Sequence, residues 1–207
     1  MLGAHQQSEW RAVGRLNTGS GFCTGALVAP DLVVTAAHCL YARRTGNRLR
    51  AERVHFVAGY RLRKFAGHAR AQRLTVHPAY EYAQRVNAKG VSTDLALVKL
   101  TAPITATPFA VAPDVRAGDP VVILSYGRDR PEIPSIQSPC HVIRRAGAVL
   151  VMDCDVTYGV SGAPVFRRVG NEWRIVAVVS AMGQENGAPV AYAVALDEAM
   201  AAVLAAP

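Results

Sequence analysis

The 207-residue chain lacks several patterns, and each absence removes a class of protein. No apolar run reaches the roughly 18 residues that a membrane-spanning helix needs, so we expect no transmembrane segment and no membrane partner. The cysteines do not have the CxxC spacing of a zinc site and no other metal constellation is visible, so we expect no metal and no cofactor. Internal repeats and low-complexity segments are also absent. What remains is a globular chain long enough to bury its own core.

Acidic residues are scarce, with 15 Asp and Glu against 23 Lys and Arg, and the net charge is +8. Such a balance can indicate a nucleic-acid partner. The basic residues are scattered, however, and their local clusters lack the interleaved aromatic residues of a base-stacking surface. We therefore interpret them as a solvated, arginine-rich face and expect no nucleic-acid partner. A basic nucleic-acid binder stays a third hypothesis, and it predicts steeply salt-dependent binding.

Only four cysteines are present, at positions 23, 39, 140 and 154. An even number in two sequence-near pairs is compatible with two disulfides, and pairing Cys23 with Cys39 and Cys140 with Cys154 is the simplest of three possible connectivities. Two disulfides would indicate an oxidising compartment. The chain does not open with a charged segment followed by an apolar core. For an exported, periplasmic or secreted protein, we therefore expect a signal peptide to have been removed already.

Short apolar or alternating segments rich in Val and Ile recur along the chain, bounded by Gly, Pro, Asp and Asn, which is typical of antiparallel β proteins. The clearest predicted strands are residues 26–34, 54–57, 95–100, 120–125, 148–152, 163–166 and 174–179. A stretch with Pro103, Pro108 and Pro113 cannot form a central strand, so we place a crossover there. The predicted domains are an N-terminal half over 1–100, a crossover over 101–117, a C-terminal half over 118–196 and a short helix over 197–207.

Three segments carry residues suited to nucleophilic acyl transfer, which needs a hydroxyl, a base, an orienting carboxylate and amide donors. Ser161 lies in the segment GVSGAP at 159–164, where small residues let a carbonyl approach the amides of Gly159 and Ser161. His38 follows an apolar strand in TAAHC at 35–39, and Asp94 precedes another in TDLAL at 93–97. Each residue alone could be an ordinary turn or core residue. Together they provide one candidate for each role.

The three segments, in this order, resemble the trypsin and chymotrypsin family. FCTGALVAPDLVVTAAHC, HPAY at 77–80 and KLTAPI at 99–104 are also similar to family sequence, so the resemblance covers about residues 10–196. It implies an all-β fold of two six-stranded antiparallel β-barrels with a short C-terminal helix, with His38 and Asp94 on the first barrel and Ser161 on the second. It also implies a serine endopeptidase that acts on proteins or peptides, and we expect a monomer.

The resemblance implies a role for each matching residue. His38 would be the general base, Asp94 its orienting partner and Ser161 the nucleophile, with the amides of Gly159 and Ser161 as the oxyanion hole. The bond between Cys23 and Cys39 would match the family bridge around the histidine. The substrate pocket would be lined by Asp155, Val156, Thr157, Tyr158, Ser180, Ala181 and Met182.

Several positions depart from the trypsin pattern. Val160 replaces the aspartate that pairs with a freed N-terminus during activation, and CHVI at 140–143 with CD ahead of GVSGAP is closer to a bacterial branch resembling the glutamyl endopeptidases. Gapless counting places Asp155 at the pocket base, where it would select a basic side chain, although a structural role is the alternative. Val179 replaces the histidine of glutamyl-specific members, which disfavours acidic specificity. Met182 would narrow the pocket.

The main alternative to a protease is an inactive homologue that binds peptides. Val160 and Ala163, which replace more polar or smaller residues, motivate it. The complete set of His38, Asp94 and Ser161 argues against it, because losing any one of three residues that act as a unit removes most of the rate. A binding module has no reason to keep all three.

Overall fold

A computed structural model describes residues 1–19, 21–83, 87–112 and 114–205. Six strands of the first half form a closed antiparallel barrel in the order β1-β2-β3-β6-β5-β4. They are β1 (Val13–Asn17), β2 (Phe22–Ala29), β3 (Leu32–Thr35), β4 (His55–Ala58), β5 (Gly67–Val76) and β6 (Ala96–Leu100). Pairing of Leu16 with both Cys23 on β2 and Phe56 on β4 closes the barrel.

Six strands of the second half form another closed antiparallel barrel, in the order β10-β11-β12-β9-β8-β7. They are β7 (Pro120–Gly127), β8 (Arg130–Ala146), β9 (Val149–Met152), β10 (Pro164–Val169), β11 (Glu172–Glu185) and β12 (Ala188–Ala195). A tight turn at Gly170, with a φ of 60° that favours glycine, joins β10 to β11. The predicted all-β fold of two six-stranded barrels with a C-terminal helix is confirmed.

Helical segments among the described residues are short. Three 3₁₀ helices span Ala4–Trp10, Ala37–Leu40 and Ala51–Arg53, α1 spans Ala88–Ser92, and α2 spans Leu196–Leu204. No helix in the described ranges is both long and apolar enough to cross a membrane. Of the predicted crossover and terminal helix, Pro113 and residues 206–207 lie outside the described residues.

An aromatic cluster joins the two barrels. The ring of Trp10 lies 5.0 Å from Phe166 on β10 and 5.8 Å from Phe109 of the crossover, and Phe109 lies 4.7 Å from Phe166. Trp10 and Phe166 are buried, and large aromatic rings contribute strongly to such a core. This packing fixes the relative position of the barrels, between which the cleft lies.

Both chain ends also contact the barrel of the other half, which the predicted domain ranges do not include. The amide of Leu2 donates to Pro134 O on β8 at 2.9 Å, and the Leu2 side chain is buried. At the other end, Leu196, Ala199 and Val203 of α2 are buried in the hydrophobic cluster that contains the core of the first barrel, and α2 contacts β5 and β6 there. Both chain ends therefore connect the two halves.

Candidate active site

The His38 imidazole is held in place by its own short helix and by a disulfide. The 3₁₀ helix Ala37–Leu40 follows β3, and Cys39 within it is bonded to Cys23 on β2. His38 Nδ1 lies 2.7 Å from Asp94 Oδ2, and the His38 amide donates to Asp94 Oδ1 at 2.8 Å. One carboxylate therefore holds both the ring and the backbone of His38. The same contact fixes the tautomer, because Nδ1 donates to a carboxylate and leaves Nε2 free to accept a proton.

Asp94 is a buried carboxylate, 3% exposed, at the start of the segment that leads into β6. Besides its two bonds from His38, it accepts a hydrogen bond from Ser180 Oγ on β11 at 2.5 Å. A buried carboxylate is tolerated where several donors replace the lost water. Because Ser180 belongs to the second barrel, this side chain also connects the two halves directly beside the imidazole.

The pKa of His38 lies above the ordinary 6.5 as the balance of opposing effects. Burial lowers the pKa of the ring, but the negative charge of Asp94 and its hydrogen bond favour the imidazolium and raise the pKa further than burial lowers it. The positive charge of Arg43 works in the same direction as burial. A ring stabilised as a cation by its partner is suited to take a proton during a reaction and return it.

Ser161 lies in a tight turn between the barrels. The amide of Thr24 on β2 donates to Ser161 O at 2.9 Å, and the Gly162 amide donates to Val179 O on β11 at 2.8 Å. Gly162 has a φ of 79°, and a Cβ there would lie 2.2 Å from Thr35 Oγ1. Only glycine fits this conformation and this space. The turn is thus hydrogen-bonded to β2 on one side and to β11 on the other.

The hydroxyl of Thr24 holds the segment just before Ser161, a role that no sequence motif predicted. Thr24 Oγ1 donates to Gly159 O at 3.2 Å and accepts from the Tyr126 amide at 3.0 Å, all buried. Next in the chain, Val160 is 2% exposed and packs in the core of the second barrel. Hydrogen bonds to Thr24 and apolar packing of Val160 therefore fix this loop, and within the described part of the chain no ion pair contributes. The sequence offered one sign of this role, which is that Thr24 is a hydroxyl residue within an otherwise apolar strand.

The predicted triad residues line one cleft between the barrels. The cavity has a volume of about 570 Å³, with His38, Tyr80 and Asp94 on the first barrel's side and Ser161 and Ser180 on the other. Within the described residues no hydrogen bond joins Ser161 Oγ to His38 Nε2. Cys39 Sγ lies 3.8 Å from this nitrogen. Such bonds often tighten only when substrate is present.

Comparison with known proteins assigns the chain to a family. The family model named Trypsin matches residues 3–202. The chain belongs to the trypsin family. This membership supports a serine peptidase function and implies protein substrates.

Solved structures of similar fold agree with the trypsin family. One is a Glu endopeptidase in complex with MPD, with a TM-score of 0.79 and 19% identity, covering 99% of this chain and 94% of that one. Another is a thermostable serine protease from an extremophilic microorganism, with a TM-score of 0.71 and 20% identity, covering 94% of this chain and 95% of that one. At these identities the likeness concerns the fold.

The residues predicted to line the trypsin-family substrate pocket fall into two groups. Most of them line the cleft, namely Val156, Thr157, Tyr158, Ser180, Ala181 and Met182. Asp155 does not. It lines a second cavity of about 350 Å³, together with Ser135, Arg130 and Val160. The structure therefore places Asp155 outside the cleft that Ser161 lines. Counting residues back from Ser161 could not detect this position, because a count ignores where the loop turns.

The four cysteines form two bonds, Cys23 with Cys39 and Cys140 with Cys154. The first anchors the helix of His38 to β2. The second joins β8 to the segment after β9, at the start of the loop that leads to Ser161. Both bonds therefore restrain segments that carry predicted site residues.

A tyrosine cluster forms the wall of the cleft beyond His38. The ring of Tyr41 stacks on Tyr82 at 5.2 Å and lies 5.7 Å from Tyr80, and both Tyr80 and Tyr82 line the cleft. Burial raises the pKa of Tyr80, and the nearby charge of Asp94 adds to it. The phenol thus stays neutral, and this wall offers a flat, largely apolar surface.

Proposed function

We propose that the protein is a serine endopeptidase that hydrolyses peptide bonds through an acyl-enzyme. The observation that carries the proposal is the double hydrogen bond of Asp94 to His38, which fixes the imidazole on a cleft that Ser161 also lines. This arrangement provides a hydroxyl, a base and an orienting carboxylate in one place. The trypsin-family membership of the chain supports the same conclusion.

In the proposed reaction His38 Nε2 takes the proton of Ser161 Oγ as the oxygen attacks the peptide carbonyl. The amides of Gly159 and Ser161 stabilise the oxyanion of the tetrahedral intermediate. His38 then gives its proton to the departing amine, leaving the acyl group on Ser161. Water, deprotonated by the same imidazole, hydrolyses the ester and restores the enzyme. Asp94 stays ionised throughout and stabilises the imidazolium that forms twice in each cycle.

Substrate would bind as an extended strand beside β11. Ser180, Ala181 and Met182 line the cleft there, so their backbone groups are available to pair with the acyl half of the substrate. The nearby lining residues Val156, Val179 and Met182 are apolar, whereas Asp155 lies in the other cavity. We therefore favour an apolar side chain before the scissile bond over a basic one.

Two disulfides are typical of proteins in oxidising compartments, so we infer that the protein is exported. This inference fits the trypsin family. We further expect a member of the bacterial branch, on the sequence features named above and on the likeness of the fold to a Glu endopeptidase.

A fluorophosphonate probe tests the proposal. We expect the wild type to be labelled, and Ser161→Ala to lose labelling while it keeps its circular dichroism and unfolding transition. Wild-type protein that is folded but unlabelled, and that cleaves no member of a peptide library, would reject the proposal. It would favour instead a homologue that only binds peptides, which Val160 and Ala163 motivate.

A further inference from the structure

Two arginines flank one exposed aromatic ring at the edge of the cleft. The guanidinium carbon of Arg43 lies 5.9 Å from the ring centre of Tyr158, and that of Arg128 lies 5.5 Å from it. The Tyr158 side chain is 53% exposed. Arginine stacks on aromatic faces through its planar, weakly hydrated cation, so the ring pre-orients both guanidinium groups. We call Arg43, Tyr158 and Arg128 the basic wall.

The basic wall lies next to the reacting groups. Arg43 and Tyr158 line the same cavity as His38 and Ser161, and the charge of Arg43 reaches the imidazole strongly enough to oppose its protonation. Tyr158 directly precedes Gly159, and the Arg128 amide donates to Tyr158 O at 2.7 Å. A ligand group bound at the wall would therefore lie within a few residues of the scissile bond.

The two guanidinium groups of the basic wall differ from neighbouring arginines in their charge partners. Among the residues that the structure describes, no salt bridge involves Arg43 or Arg128. By contrast, Arg15 lies 3.7 Å from Glu132, and Arg130 pairs with Asp129. Two cations held at the same ring repel each other, and an anionic ligand group bound beside the ring relieves that repulsion. The wall thus has the chemistry of a site for an anionic side chain.

The fold indicates which half of the substrate reaches the wall. The turn of Ser161 is held by β11 on one flank and by β2 on the other, and β11 is the strand proposed to pair with the acyl half. On the β2 flank, a Cβ at Gly159 would lie 3.0 Å from the ring of Phe22 and 3.0 Å from the Arg128 amide. In the proposed reaction His38 protonates the departing amine, so the leaving-group half of the substrate lies beside His38. Arg43 follows His38 by five residues. The wall therefore belongs to the leaving-group half.

We propose that the basic wall binds an Asp or Glu side chain of the substrate within the first three residues after the scissile bond. The proposal rests on the proposed function, and it names a substrate class for it: polypeptides with an acidic residue directly after the cleavage point. The wall is a recognition site and takes no part in bond breaking.

The test uses quenched fluorescent peptides that share one acyl half, chosen from the cleavage profile of the wild type on a peptide library. They differ only in carrying Glu, Gln or Lys at each of the first three positions after the bond. We expect kcat/KM to be about tenfold higher for Glu than for Gln at the best position at low salt, with Lys lowest. The advantage should shrink as NaCl screens these exposed charges.

Variants assign the preference to the wall. Arg43→Gln and Arg128→Gln should each reduce the Glu over Gln ratio about threefold, and the double variant should remove it. Arg128→Glu should shift the preference toward Lys. Arg168→Gln is the matched control, because its guanidinium also lies over an aromatic ring, 5.3 Å from Trp173. It should keep the wild-type ratio.

Two outcomes overturn the proposal while leaving the protease intact. One is an active, labelled enzyme with equal kcat/KM for Glu and Gln peptides at all three positions. The other is a Glu preference that persists in the double variant. Protein without labelling and without cleavage of any peptide rejects the proposed function itself, and the acidic preference with it.

Discussion

Replacing Thr24 by valine removes one hydroxyl and keeps the shape of the side chain. In the wild type this hydroxyl donates to Gly159 O at 3.2 Å and accepts from the Tyr126 amide at 3.0 Å. Both backbone groups are buried, and valine leaves them without that partner. An unsatisfied buried group costs about 1–3 kcal/mol, so we expect Thr24→Val to lower the free energy of unfolding by about 2–4 kcal/mol.

The same change should affect catalysis more than binding. Gly159 O and the Gly159 amide belong to one short loop, so losing the hydrogen bond to its carbonyl lets the amide drift from the oxyanion. Removal of a whole oxyanion donor costs about 100-fold or more in kcat, and we expect a displaced donor to cost about tenfold, with little change in KM. A peptide boronate, which forms a tetrahedral adduct, should lose affinity in parallel with kcat.

Steady-state kinetics, boronate inhibition and urea unfolding measure these effects. Thr24→Ser keeps the hydroxyl and should recover most of kcat. Thr75→Val, at a buried threonine of β5 in the same barrel, is the matched control and should keep the wild-type kcat and boronate affinity. If Thr24→Val keeps the wild-type kcat and unfolds within about 0.5 kcal/mol of it, the loop is not held by this hydroxyl.

Four further predictions concern neighbouring residues. Val160→Asp should lower the free energy of unfolding by about 3–5 kcal/mol, because it would place a carboxylate in the apolar core where Val160 packs; calorimetry showing an unchanged transition would contradict this. kcat/KM should increase with pH through the raised pKa of His38, above 6.5. Arg43→Gln should move this increase to still higher pH, because the charge of Arg43 lowers the pKa of the ring. A shift to lower pH would refute that electrostatic effect. Since that raised pKa stabilises the folded protein fully below pH 6.5, stability should decline as pH rises through the folded pKa, and His38→Ala should lose this dependence. Ser180→Ala removes a hydrogen bond to the Asp94 carboxylate and should cost about 1.5–3 kcal/mol in urea unfolding, and equal stability would show the bond to be dispensable.

The fold class could be predicted from the sequence because its evidence is local. Short, nearly continuous apolar segments indicate strands that are buried on both faces, as in β2 and β6. The same pattern does not predict β5. Its exposed face carries residues such as Arg70 and Arg73, and its buried face begins with the small Ala69 and Ala71, so the hydrophobic signal is weak.

The candidate site was predictable where short motifs carry it and unpredictable where distant loops meet. TAAHC and TDLAL each identify one residue, and the structure joins His38 to Asp94 at 2.7 Å. The role of Thr24 depends on a contact with Gly159, 135 residues away, which no local pattern reveals. The position of Asp155 depends on the path of a loop, and the basic wall depends on the meeting of three segments.

The hydrogen bond from Ser180 to Asp94 joins one barrel to the other, and so does the hydrogen bond from the Thr24 amide to Ser161 O. A nascent chain carries His38 and Asp94 long before Ser161 is synthesised, and neither half of the chain holds all three residues. In the proposed enzyme, hydrolytic activity would therefore arise only when the two barrels of the finished chain pack together.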